Sequence, residues 1–222
     1  LTPITMRFYL FVFLGAFSIA QAQVFEQTRP LSGGVTVHFA TETTDTLNPP
    51  FVDDFSYRSD RPTQELWSDQ DVWINDAMPL FQNSIGVATF DGCNAYGKPY
   101  QPGNITTNGI SDQLTSNYIN LQGATDVWLS FQYQRAGKGE APSPSDSLVV
   151  SYYSPTDSTW TQVWGEKGTS NADAFKTAMI PVIGSQFLKK GFRFRFATYG
   201  ARGGAYDVWN VDYVQLDKDR NP

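Results

Sequence analysis

The sequence contains one cysteine, Cys93, and one histidine, His38, in 222 residues. A single thiol closes no internal disulfide, so the fold must be held by core burial. As a nucleophile, Cys93 would need a basic partner, and His38 lies in a different segment; the cysteine reads as a small buried residue. Basic residues are also scarce: 16 Lys and Arg face 22 Asp and Glu, for a formal net charge of −6. That balance argues against nucleic acid and anionic membrane as partners, which demand cationic patches. Signatures of metalloproteases, phosphate-binding loops, dinucleotide folds and serine triads are missing, as is a D-x-D-x-D-G calcium loop. After the first 22 residues no apolar run approaches membrane-spanning length, and no long helical periodicity is found.

What is present begins with an address. Residues 6–23, "MRFYLFVFLGAFSIAQAQ", hold one Arg, an apolar run starting at Phe8, and small residues ending in Ala20-Gln21-Ala22. This is the pattern of a secretory signal peptide, with cleavage expected after Ala22. The expected product is an extracellular or cell-surface protein, long enough for one well-buried domain. Residues 23–50 read as an N-terminal arm and linker. They include the alternating "GVTVHFAT" at 34–41 and close on a double proline.

Aromatics make up 15% of the chain, and Pro and Gly punctuate it at short intervals. Both features favour an all-β fold. In "DVWLSFQYQ" (126–134), Val127, Leu129, Phe131 and Tyr133 share one face, while Ser130, Gln132 and Gln134 share the other. "GFRFRFATYG" (191–200) turns Phe192, Phe194 and Phe196 inward and Arg193 and Arg195 outward. Further strands are expected in 84–92, 117–121, 146–154, 159–164 and 208–216. Residues 135–147 should form an exposed loop. Residues 171–182 are compatible with a turn or two of helix before Pro181, or with a strand. The whole predicts a two-sheet antiparallel jelly-roll β-sandwich over 51–217, with 218–222 as a tail.

The candidate ligand-binding residues are Trp128 and Trp209, read on the polar faces of their strands, together with Arg193 and Arg195. An indole face stacks on the apolar face of a pyranose, and guanidinium groups donate to acidic sugars or to a partner's carboxylates. Acids recur at strand edges: Asp53, Asp54, Asp91, Asp207 and Asp212. The five glutamates, Glu26, Glu42, Glu65, Glu140 and Glu166, are isolated from one another, unlike the acid pair of a sandwich glycosidase.

The order of segments carries a resemblance. "LTSNYINLQGATDVWLSFQYQRAG", "DSLVVSYYSPTDSTWTQVW" and "FLKKGFRFRFATYGARGGAYDVWNVDYVQL" together resemble the strand order of MAM-type and carbohydrate-binding jelly-roll modules. "FVDDFSYRSDRPTQELWSDQDVWIN" and "SIGVATFDGCNAYGKPY" resemble segments of exported surface proteins of the Bacteroidota, many of which leave by the type IX route. The paired cysteines of animal MAM domains are absent. The resemblance implies a non-catalytic module for adhesion or glycan recognition, with a glycan or surface protein as partner. It also implies a structural calcium between the first and last strands, held by Asp53, Asp54 and Asp212. Two other readings stay open. One is an accessory subunit of an outer-membrane secretion or gliding-motility assembly, marked by a broad apolar patch; the other is a carbohydrate-active enzyme, marked by buried carboxyls around a substrate-sized hollow.

Overall fold

A computed structural model describes residues 46–104 and 107–220. The expected leader and the alternating stretch at 34–41 lie outside the described residues. Among the described residues eleven strands follow one another: β1 (Phe51–Asp53), β2 (Trp73–Asn75), β3 (Val87–Phe90), β4 (Asn108–Thr115), β5 (Ile119–Asn120), β6 (Val127–Arg135), β7 (Ser147–Ser154), β8 (Thr159–Lys167), β9 (Lys176–Pro181), β10 (Lys190–Ala201) and β11 (Trp209–Lys218). There is no helix among the described residues.

The strands form two antiparallel sheets, the jelly-roll sandwich that the alternation implies. One sheet runs β2-β3-β11-β6-β9, with β1 also on β11; the other runs β4-β10-β7-β8, with β5 also on β10. β10 shows why the chain folds this way. From Gly191 to Phe196 its odd positions are partly exposed and its even positions, Phe192, Phe194 and Phe196, are fully buried. Period-two alternation leaves such a strand one stable orientation, and each buried phenyl contributes about 1.5–3 kcal/mol. Two of the rings meet the opposite sheet edge-on, Phe196 at 4.8 Å from Phe131 of β6 and Phe194 at 5.0 Å from Phe51 of β1, while Phe192 packs on Tyr152 of β7 at 5.2 Å and on Phe187 at 6.4 Å. Trp67 completes this cluster at 5.7 Å from Phe194.

The segment at 171–182 resolves as strand β9. Ala178 and Ile180 turn into the core beside β6, and the Tyr152 hydroxyl donates to the Ile180 carbonyl at 3.2 Å. Burial of alternate residues against β6 outweighs the weak local helix preference. Contacts with the sandwich also extend past both ends of 51–217. Leu47 bridges to Ile119, donating to Tyr118 O and accepting from Asn120 N, each at 2.7 Å. At the other end Asp219 N donates to Asp126 O at 3.0 Å, and the Arg220 guanidinium reaches Ser130 Oγ. The described part of each flank, residues 46–50 and 218–220, therefore makes contacts with the sandwich.

One buried cation ties the sheets together. Arg135, at the end of β6, donates to Glu166 of β8, to Asp173 before β9, and through Nε to Lys167 O at 2.8 Å. Its guanidinium also lies 5.6 Å from the Trp209 ring, and Lys176 Nζ joins Asp173 at 2.7 Å. Burial pushes the Asp173 carboxyl up, but hydrogen bonds from Lys176 and Arg135 outweigh it and hold the acid below its ordinary range.

Candidate recognition face

The outer surface of the β4-β10-β7-β8 sheet is assembled by register. Arg193 stands opposite Tyr153, and Tyr153 opposite Trp160, giving one row across β10, β7 and β8. The next row is Thr115, Arg195, Ser151 and Gln162. A third holds Gln113, Ala197, Val149 and Gly165, and a fourth Ile110, Tyr199, Ser147 and Lys167. At about 3.4 Å per residue the four rows span roughly 20 Å, room for an oligosaccharide. The third row carries no aromatic or charged group and separates the Tyr153–Trp160 end from the Ile110–Tyr199 end.

The aromatic and cationic groups on this face are held against one another. Tyr153 and Trp160 lie 5.2 Å apart with their planes tilted at 51°. The Arg195 guanidinium sits over the Trp160 ring at 4.1 Å, and Nε donates to Thr115 Oγ1 at 2.9 Å. Arg193 sits over the Tyr118 ring at 4.8 Å and donates to Ser116 O at 2.8 Å and to Ser68 Oγ at 2.5 Å. Burial lowers the Arg195 pKa; the charge of Asp69 opposes this and that of Arg193 adds to it.

The residues singled out from sequence do not form one site. Arg193 and Arg195 lie on the face just described. Trp128 lies on β6, on the far side of the molecule, with its indole N–H donating to Asp126 Oδ1 at 2.9 Å. Trp209 requires correction: it is 0% exposed and belongs to the core, so it is not a ligand platform. The cause is a bulge. Asp212 pairs with Gln132 but Gln215 with Ser130, and Tyr213 between them has φ 49°. This register shift reverses the parity of the strand, so Val214 and Leu216 face inward and so do Trp209 and Val211. Conversely, Trp160 and Tyr153 acquire their importance from cross-strand register, and only the alternation of 146–154 and 159–164 hints at it.

Of the acids expected to hold calcium, Asp53 stands opposite Val214, two residues along β11 from Asp212, because β1 pairs with β11. Their chemistry does not fit the ion. The carboxylate of Asp53 accepts from the Trp67 indole at 2.6 Å and from Phe55 N at 2.8 Å; that of Asp212 accepts from Ser84 Oγ and Tyr213 N, each at 2.7 Å. Asp54 caps its own turn, accepting from Ser56 N at 3.0 Å. Calcium requires six to eight oxygens facing one point, whereas the buried oxygens here face N–H and O–H donors. Among the described residues no group of three or more His, Cys, Asp or Glu is disposed to hold a metal. Burial raises the pKa of Asp53 and lifts Asp212 to about 6, with the charge of Asp54 contributing to both.

Two other features of the molecule are structural. Asp112 is fully buried and accepts from Gly92 N at 2.8 Å and Tyr100 OH at 3.0 Å; burial, and then nearby Asp91, raise its pKa. Cys93 is buried beside them, its thiol pushed up to about 12 by burial and then by Asp91 and Asp112, so it is a poor nucleophile. A hollow of about 700 Å³ is lined by Tyr57, Arg61, Thr63, Glu65 and Gln70 among others. Its one cationic group is already engaged, with Arg61 donating to the carbonyls of Gln70, Val72 and Ala95.

No family model and no curated protein matches the chain. Solved structures give likenesses. The K1 cleaved adhesin domain of Lys-gingipain from Porphyromonas gingivalis W83 aligns at 12% identity over 77% of this chain and 99% of that chain, with a TM-score of 0.47. The CBM22-1 xylan-binding domain of Paenibacillus barcinonensis Xyn10C aligns at 12% identity over 80% and 99%, TM-score 0.46. Caldicellulosiruptor saccharolyticus CBM27-1, solved with mannohexaose, aligns at 13% over 78% and 98%, TM-score 0.45. At these values the functional reading rests on this chain's own side chains.

Proposed function

We propose that this chain is a non-catalytic glycan-recognition or adhesion module of the extracellular or surface compartment, and that it binds through the outer face of the β4-β10-β7-β8 sheet. The observation that carries this reading is the register that brings Tyr153, Trp160, Arg193, Arg195, Ser151 and Gln162 onto two adjacent rows. Rigid aromatic groups beside amide, hydroxyl and guanidinium donors are the equipment of sugar binding: ring faces meet C–H faces while donors meet hydroxyls. The long strands beneath hold these groups without ordering on binding, which keeps the entropic cost low. The test is a glycan array probed with the full chain and with Trp160→Ala and Tyr153→Ala. Retention of defined glycans by the wild type, weakened roughly tenfold or more in either variant, is the expected outcome. Equal retention by all three would refute this face.

A second reading is an accessory subunit docked into an outer-membrane assembly. It is favoured by apolar groups on the opposite side of the molecule: Phe81 is 90% exposed and Ile85 77%, and they flank Ser84, whose hydroxyl reaches Asp212 beside exposed Tyr213. Co-purification of an outer-membrane protein that is lost in Phe81→Ser, with an empty glycan array, would favour it over the first.

A further inference from the structure

The rings on the recognition face are not bare platforms. Trp160 is capped by the Arg195 guanidinium at 4.1 Å and Tyr118 by that of Arg193 at 4.8 Å. An incoming sugar therefore meets guanidinium N–H groups where a neutral polysaccharide would want an open indole. Among the described residues neither arginine makes an ion pair; the ion pairs found there all belong to Arg135 and Lys176. Arg195 spends only Nε, on a neutral hydroxyl, leaving both terminal amino groups to the outside. Arg193 spends Nε and one terminal nitrogen on a carbonyl and a hydroxyl. Partly buried cations without anions are a liability that a ligand's anion can relieve, and stacking fixes them in place beforehand. Lys167 adds a third positive group in the fourth row. The opposing charge that acts on Arg195 is Asp69, which makes no ion pair with it.

We infer that the ligand of this face is an anionic glycan, a polysaccharide bearing uronate carboxylates or sulfate esters, gripped by Arg195 and Arg193 across rows that Trp160 and Tyr153 floor. The inference rests on the glycan reading of the same face. It is sharpened by the rest of the molecule, because a chain of net charge −6 should not retain polyanions indiscriminately. Charge-assisted bonds from a guanidinium are also stronger than the neutral bonds a hydroxyl offers.

The test sets the full chain against immobilised polygalacturonate, chondroitin sulfate, mannan and xylan, alongside Arg193→Gln, Arg195→Gln and Asp69→Asn. Retention on polygalacturonate or chondroitin sulfate, falling roughly tenfold or more in Arg195→Gln and weakening with added salt, is the expected result. The relative retention on those two supports identifies carboxylate or sulfate as the preferred anion. Asp69→Asn should bind more tightly than the wild type, a gain that misfolding would not produce. Retention on mannan or xylan that is unchanged in both arginine variants would overturn the inference while leaving glycan recognition intact. Retention on no support, anionic or neutral, would overturn both.

Discussion

Asp212 shows how burial at a single residue sets the pH response. Its carboxyl is 0% exposed and lifted to about 6 by burial, in spite of donors from Ser84 and Tyr213. The folded chain thus holds this proton more tightly than the unfolded chain, whose carboxyl keeps a value near 3.8. Stability from the group is complete below the unfolded pKa and is lost as pH rises through about 6. Asp207 acts in the same sense: burial and neighbouring Asp146 carry it to about 6, against a bond from Ala201 N. In Asp212→Asn the amide mimics the protonated acid, so its Tm should decline less than that of the wild type between about pH 4 and 7. Parallel Tm–pH curves for the two proteins would show that Asp212 is ionised throughout.

At the scale of elements, legibility followed alternation. β6, β7 and β10 were readable because one face of each is uniformly apolar, and that constraint is local. β11 was readable as a strand but not as to which side Trp209 takes, because the bulge at Tyr213 changes parity partway along. A left-handed residue that is neither Gly nor Asn leaves no mark in composition. The ligand set suffered from the same limit. Trp128 and Arg195 each lie on an outward face, but which two sheets those faces belong to is decided by pairing over long sequence distances. The Arg135 clamp was likewise invisible, since "QYQRAG" reads as the start of a loop while the structure buries the guanidinium between Glu166 and Asp173. Truncating the buried Arg135 takes donors from Glu166 and from the Lys167 carbonyl while Asp173 keeps Lys176, so Arg135→Ala should lower the unfolding free energy by about 1–3 kcal/mol. Urea titration measures this. A loss below about 1 kcal/mol, the range of exposed pairs, would mean that β6 and β8 are held by their apolar contacts alone.

The whole molecule presents two outer faces of different character on one aromatic core. One is cationic and aromatic, around Arg195 and Trp160. The other carries Trp128 and the amides of β6, with Phe81 and Ile85 exposed at its margin. An acidic chain that sets Arg193 and Arg195 side by side on one sheet has a local polarity which net charge hides, and this polarity is the ground for proposing that sheet as the recognition face. The most direct test blocks each face in turn. Gln162→Cys places a thiol on the arginine face and Gln132→Cys one on the opposite face; native Cys93, buried with a thiol near 12, should stay unlabelled. Each variant is coupled to a bulky maleimide and returned to the glycan array. Binding abolished by the label at 162 and unaffected by the label at 132 is the expected result, and the reverse pattern would contradict the assignment of the recognition face.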